Sequence, residues 1–116
     1  MLPALNRLRS SKDFARVTKT GYRASTASLV IYLKDDLATQ SEPQIGFIVS
    51  KAVGGSVARH RIARQLRHAI KNHLTIIPPY SQVVVRVIKD ALDKPDYSSE
   101  LLQGFKKISQ RMGVKK

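Results

Sequence analysis

The chain has 116 residues, enough for one domain with one modest core, and its 42% hydrophobic and 25% charged content is ordinary for a globular protein. It contains no cysteine, which excludes disulfides, thiolate metal sites and cysteine nucleophiles. Lys and Arg total 21 against 8 acidic residues, a formal net charge of +13, and self-repulsion on that scale points to a polyanionic partner.

Nucleic acid and an anionic membrane both answer that description. No apolar stretch approaches the roughly 18 residues that read as a membrane span, and residues 1–7 lack the apolar centre of a signal peptide. The expectation is a cytoplasmic protein with no membrane partner. The charge is also uneven. Between positions 43 and 89 there is no Asp or Glu, while the same span carries eight Lys or Arg. The acids gather at Asp35, Asp36 and Glu42 and again at Asp90, Asp93, Asp96 and Glu100, positions expected in loops at strand ends.

In chain order, Ser10 or Ser11 caps a first helix running to about residue 19, with Asp13 in its first turn, where the helix dipole favours an anion. Phe14 and Val17 are its apolar contacts and Gly21 ends it. Residues 22–34 read as extended, with Leu29, Ile31 and Leu33 alternating with Val30 and Tyr32, so both faces are partly apolar; a separate short strand fits residues 22–26. A turn-rich stretch, 35–43, leads to a strand over 44–50 with Ile45, Phe47 and Val49 on one side, and these two strands are expected to pair as a hairpin with a long loop. Gly54 and Gly55 break the strand pattern, and Ser56 is placed to cap a helix reaching about residue 73. At 100° per residue Ala58, Ile62, Leu66, Ala69 and Ile70 share one face, while His60, Arg64, Arg67 and Lys71 share another that Arg61 and His68 extend. Pro78 and Pro79 precede a strand over 82–88, and a last helix from about 96 to 112 presents Leu101, Leu102, Phe105, Ile108 and Met112 as core. With no repeat and no domain boundary, residues 1–116 read as a single RNA-binding domain of the α+β class, ordered α-β-β-(β)-α-β-α, a mainly antiparallel sheet packed with helices.

The chemistry concentrates in residues 50–67, a strand end, a glycine turn and a helix whose first three turns carry Arg59, Arg61, Arg64 and Arg67. Guanidinium forks pair bidentately with phosphate, and a helix N-terminus offers free N–H groups to an anion. A charged stripe is more often just a solvated face. Here it lies in an acid-free stretch, so intramolecular ion pairs explain four clustered arginines poorly.

This stretch resembles the signature of the protein subunit of bacterial ribonuclease P: a strand ending in Ser-Lys, a Val-Gly turn, then a helix opening Arg-Asn-Arg-Ile-X-Arg-X-Leu-Arg. The chain matches at Ser50, Lys51, Val53, Gly54, Val57, Arg59, Arg61, Ile62, Arg64, Leu66 and Arg67. Asn6, Arg7, Leu8 and Arg9, followed by Lys12, Asp13, Phe14 and Val17, resemble the family's N-terminal block, so the resemblance spans nearly the whole chain. Three positions depart from it. His60 replaces the usual Asn, Gly55 replaces an Asn after Gly54, and Thr18 stands where many relatives carry a second aromatic one turn after Phe14. Histidine keeps a donor and an acceptor, whereas threonine offers no stacking surface.

The resemblance implies a division of labour. The RNA subunit holds Mg²⁺ and hydrolyses the phosphodiester, and the protein binds that RNA and the single-stranded 5′ leader of precursor tRNA. It implies a fold like the second domain of ribosomal protein S5 with a left-handed β-α-β crossover, a hand opposite to the general rule. It places a leader cleft between the first helix, the open sheet face and the arginine helix. Phe14 and Tyr32 supply stacking surfaces there, with Lys12, Arg16 and Arg9 beside them. Lys51, Arg59, His60, Arg61, Arg64, Arg67 and Lys71 are assigned to RNA binding, Lys51 and the four arginines to phosphates. The implied partners are the RNA subunit and precursor tRNA, with no DNA and no obligate protein partner. A ribosomal or other structural RNA-binding protein is the alternative. An autonomous nuclease fits less well: His60 and His68 are eight residues apart, roughly 12 Å along a helix, and no carboxylate cluster adjoins them. A DNA-binding helix-turn-helix lacks its second short helix.

Overall fold

The computed structural model describes residues 4–88 and 96–112. Its elements in chain order are α1 (Ser11–Thr20), β1 (Tyr22–Ser25), β2 (Leu29–Lys34), β3 (Gln44–Val49), α2 (Ser56–Lys71), β4 (Gln82–Val87) and α3 (Tyr97–Arg111), with 3-10 turns at Ala4–Asn6 and Leu74–Ile76. The Ser10 side chain caps α1 by accepting from Asp13 N. Gly21 ends α1 as the sequence suggested, in an extended conformation with φ −78. Glycine is needed there for space, because a Cβ would sit 2.7 Å from the Val17 carbonyl oxygen and 2.8 Å from that of Leu33.

The extended stretch divides at residues 26–28 into β1 and β2, which fold back antiparallel with Tyr22 opposite Leu33 and Ser25 opposite Val30. The turn between them is clasped by Glu100, whose Oε1 accepts from Thr26 Oγ1 at 2.6 Å and from Ser28 N at 2.9 Å, while Oε2 accepts from Ser28 Oγ at 2.8 Å. Glu100 thus lies within α3 and not in a loop; Asp90 and Asp93 fall outside the described residues.

The four strands are ordered β1-β2-β4-β3. β2 runs antiparallel to β4, and β3 runs parallel to it with Gln44 opposite Gln82 and Val49 opposite Val87, so the sheet is mixed. The hairpin expected between β2 and β3 does not form, since β4 lies between them. Val83, Val84, Val85 and Val87 are all buried, and a strand apolar on both faces belongs at the centre of a covered sheet.

Both faces are covered. On one, Leu29, Ile31, Leu33, Val83, Val85 and Ile45 pack with Ile62, Leu66 and Ile70 of α2 and Leu101, Phe105 and Ile108 of α3. Each such side chain contributes about 1.5–3 kcal/mol on burial. On the other, Val30, Tyr32 and Val84 meet Leu8 and Val17, with Phe14 and Ile48 at the margin. α2 begins at Ser56, one residue earlier than a capping role for that serine requires, and its N-cap Gly55 supplies no side-chain bond. Asp96 caps α3 by accepting from Ser99 N at 3.0 Å.

Candidate nucleic-acid interface

Residues 6–8 run beside β3. Arg7 bridges Ile45 in parallel fashion, Leu8 N donates to the Ile45 carbonyl at 3.0 Å, and Asn6 Nδ2 donates to the Pro43 carbonyl at 2.8 Å. Leu8 enters the smaller core, which sets its neighbours Arg7 and Arg9 at the rim of a groove of about 370 Å³. One wall of this groove is Arg7, Leu8, Arg9 and Phe14; the other is Arg59, His60, Ala63 and Arg67 of α2; Ile45, Gly46, Phe47 and Val49 of β3 form its floor. Four arginines and a histidine therefore surround an apolar, partly aromatic floor, and no acidic residue lines it. Arg59 Nε is buried without a hydrogen-bond partner among the described residues. A buried donor left in that state costs free energy, which an anion in the groove would recover.

The remaining site expectations divide. Arg61, Arg64 and Lys71 are exposed on α2, and Lys51 is exposed in the turn after β3; none lines the groove. Arg64 and His68 instead border a hollow of about 480 Å³ between α2 and the start of α3, beside Asp96 and Tyr97. The single basic face drawn from the helical wheel is therefore parted, with His60 and Arg67 on one side and Arg64 on the other. Lys12 is exposed in the first turn of α1, away from the groove.

Two residues assigned to a leader cleft are placed otherwise. Tyr32 is 8% exposed and packs among Leu8, Val17, Val30 and Val84, because α1 covers that sheet face; its ring offers no open stacking surface. Arg16 donates to Asp36 Oδ1 at 2.7 Å and to Gln82 Oε1, tying α1 to the 35–43 loop and β4. That hydrogen bond holds the Asp36 carboxyl below its ordinary value, with partial desolvation opposing and the charges of Arg16 and Lys34 assisting. The groove accordingly follows the edge strand β3 and not the open sheet face. Thr18, in place of an aromatic, turns its hydroxyl back to the Phe14 carbonyl at 3.0 Å.

Sequence reasoning missed three residues. Arg7 sat inside the N-terminal block without being singled out, and Phe47 was placed only on one side of its strand, although it packs partly buried against the main core and also lines the groove floor. Arg86 is exposed on β4 opposite Val30, on the α1 side of the sheet, beside Ile48 and Ser50. A lone arginine within a valine strand was the available signal.

The three histidines lie apart. His60 lines the groove, His68 the hollow beside α3, and His73 Nε2 shares a hydrogen bond with Ser98 Oγ at 2.7 Å. Among the described residues no three His, Asp or Glu side chains gather as metal ligands, and no helix is long and apolar enough to cross a membrane.

Residues 2–113 match the family model for ribonuclease P. The ribonuclease P protein component of Mycolicibacterium vanbaalenii is 39% identical over 98% of both chains, and that of Streptomyces avermitilis is 38% identical over 97% of this chain and 95% of the relative. The Staphylococcus aureus RNase P protein superposes with a TM-score of 0.72 over 94% of this chain and 96% of that one, at 23% identity, a likeness of fold.

Proposed function

The chain belongs to the ribonuclease P protein family, and from that membership we propose that its groove receives the single-stranded 5′ leader of precursor tRNA while the outer arginines of α2 grip the RNA subunit. As a ribonuclease P protein component it serves an endoribonuclease complex in tRNA processing, with the ribonuclease P RNA as its partner. The observation that carries the leader reading is the groove itself: Arg7, Arg9, Arg59 and Arg67 stand around Phe14 and Phe47 with no acid among them. Phosphates of a single strand are drawn to the cationic walls, and bases lie against the apolar floor, which is sequence-tolerant because every base has a π-face. Arg59, with its buried and unpartnered Nε, supplies a donor that a phosphate oxygen satisfies.

The bond-breaking step is assigned to the RNA subunit. Mg²⁺ is assigned to that subunit as well; on this chain Asp36 is engaged with Arg16, and Glu100 with Thr26 and Ser28. The protein binds and aligns. The test is reconstitution with a bacterial ribonuclease P RNA and precursor tRNA at low Mg²⁺. Leader removal with both components, and none with protein freed of RNA, is expected; cleavage by the protein alone would overturn the assignment.

A further inference from the structure

Gly46 is an interior residue of β3 and is buried. Glycine there is unfavourable for a strand, by about 0.5–1 kcal/mol relative to alanine, so close approach by another group is the usual reason for it. That group is the Phe14 ring. A Cβ built on Gly46 would lie 2.2 Å from Phe14 Cζ, 2.6 Å from Cε1 and 3.1 Å from Cε2. The tip of the ring thus occupies the space any other residue's side chain needs, so a Cβ at position 46 must displace the Phe14 ring from its seat.

We propose that Gly46 is a positioning residue for the single-stranded RNA in the groove: the notch it leaves in β3 seats the Phe14 ring and thereby sets where that ring meets a base. Phe14 belongs to the wall that also carries Arg7 and Arg9, whereas Arg59, His60 and Arg67 stand opposite on α2, and Gly46 is the floor beneath them. Arg7 and Arg9 precede α1 and their segment is tied to β3 by the Arg7–Ile45 bridge and the Leu8 N–H bond to the Ile45 carbonyl, so a ring displaced from its notch leaves the cationic rim in place. The Arg16 bonds to Asp36 and Gln82 hold α1 two residues further on, so the ring yields by turning about its own side-chain bonds and loses its place in the groove. The ring's contact with an RNA base therefore changes, while the arginines of the rim and of α2 do not move.

This inference rests on the leader reading. The experiment uses reconstituted holoenzyme and measures affinity for precursor tRNA with a leader and for the same tRNA without one; their ratio is the leader increment. Protein–RNA-subunit affinity and thermal unfolding are measured beside it. Gly46→Ala is expected to cut the increment about tenfold, toward the low end of the loss of one base–aromatic stack, with RNA-subunit affinity unchanged. In a Phe14→Leu background, where the shorter side chain leaves room for a methyl group, Gly46→Ala is expected to change the increment less than about twofold, since the two residues act as one contact. An unaltered increment in Gly46→Ala, or equal losses with and without a leader, would overturn the proposal. So would a double variant about tenfold worse than Phe14→Leu alone, a comparison that stands even if Gly46→Ala does not fold by itself. Absence of any increment in the wild-type holoenzyme would sink the leader reading first and this inference with it.

Discussion

Arginines that face phosphate and arginines that merely solubilise a surface give different results when truncated. A hydrogen bond to a charged group contributes about 1.5–3 kcal/mol, so Arg59→Ala and Arg67→Ala should weaken leader binding roughly ten- to a hundredfold. Both side chains line the groove and neither belongs to the core, so melting temperature should hardly change. Arg64→Ala, on the other side of α2, should weaken RNA-subunit affinity and spare the leader increment. Affinity and melting temperature measured on the same three variants decide between this and a solvated stripe, which predicts no loss in any of them. Arg16 belongs to neither class. Its partner Asp36 has a lowered pKa, so the pair contributes stability at pH above the ordinary carboxylate range and loses it as pH falls through the depressed folded value. With side chains 35% and 51% exposed, the contribution is small, under about 1 kcal/mol. Asp36→Asn should therefore lower the melting temperature slightly at pH 7, by an amount that shrinks as pH falls below the ordinary carboxylate range, a difference read by parallel thermal melts. Sequence spacing could not show this pair, because its members stand 20 residues apart.

What the sequence disclosed at the level of elements follows from periodicity. Ile62, Leu66 and Ile70 return every turn and are buried as expected, and the last helix packs through Leu101, Phe105 and Ile108. Alternation in β2 correctly indicated two apolar faces, but it did not say that α1 would close over Tyr32. Nor could it show the partner of β3, since pairing order depends on which strand most needs burial on both sides. The Glu100 clasp is likewise non-local, joining α3 to Thr26 and Ser28 across 72 and 74 residues. Removing its charge while keeping its shape, as Glu100→Gln does, turns one of its two oxygens into a donor facing the Ser28 hydroxyl. The expected cost is about 1–3 kcal/mol, visible as a lower denaturation midpoint with unaltered RNA affinity. A loss of RNA affinity without loss of stability would show that the β1–β2 turn contacts RNA.

Across the whole molecule, charge is sorted by place. Asp35, Asp36 and Glu42 lie in the loop between β2 and β3, while the groove and the outer face of α2 hold Arg7, Arg9, Arg59, Arg61, Arg64 and Arg67. Such sorting orients the protein toward a polyanion before contact. Affinity for the RNA subunit should fall by orders of magnitude between about 50 and 200 mM monovalent salt, as release of many counterions requires, and Arg64→Ala should lower the slope of log K against log salt by about 1. A flat salt dependence in a filter-binding or fluorescence titration would contradict the basic-surface reading.

The strand order also bears on the timing of synthesis. β4 is the last strand made, yet it stands between β2 and β3 and supplies the ladder that joins them. A growing chain that ends before residue 82 has β1 and β2 able to pair, but β3 can reach them through no described strand. α2, already complete, then has its Ile62, Leu66 and Ile70 face uncovered by β4 and α3. Partial folding from the N-terminus is therefore of little use to this topology, and the ribosome must release most of the chain before a native core closes in one late, cooperative event. A fragment of residues 1–77 should accordingly show little amide protection in hydrogen exchange beyond the pairing of β1 with β2. In the meantime the same exposed helix carries all four arginines of the motif, so a nascent or unfolded chain meets RNA with its basic segment already displayed.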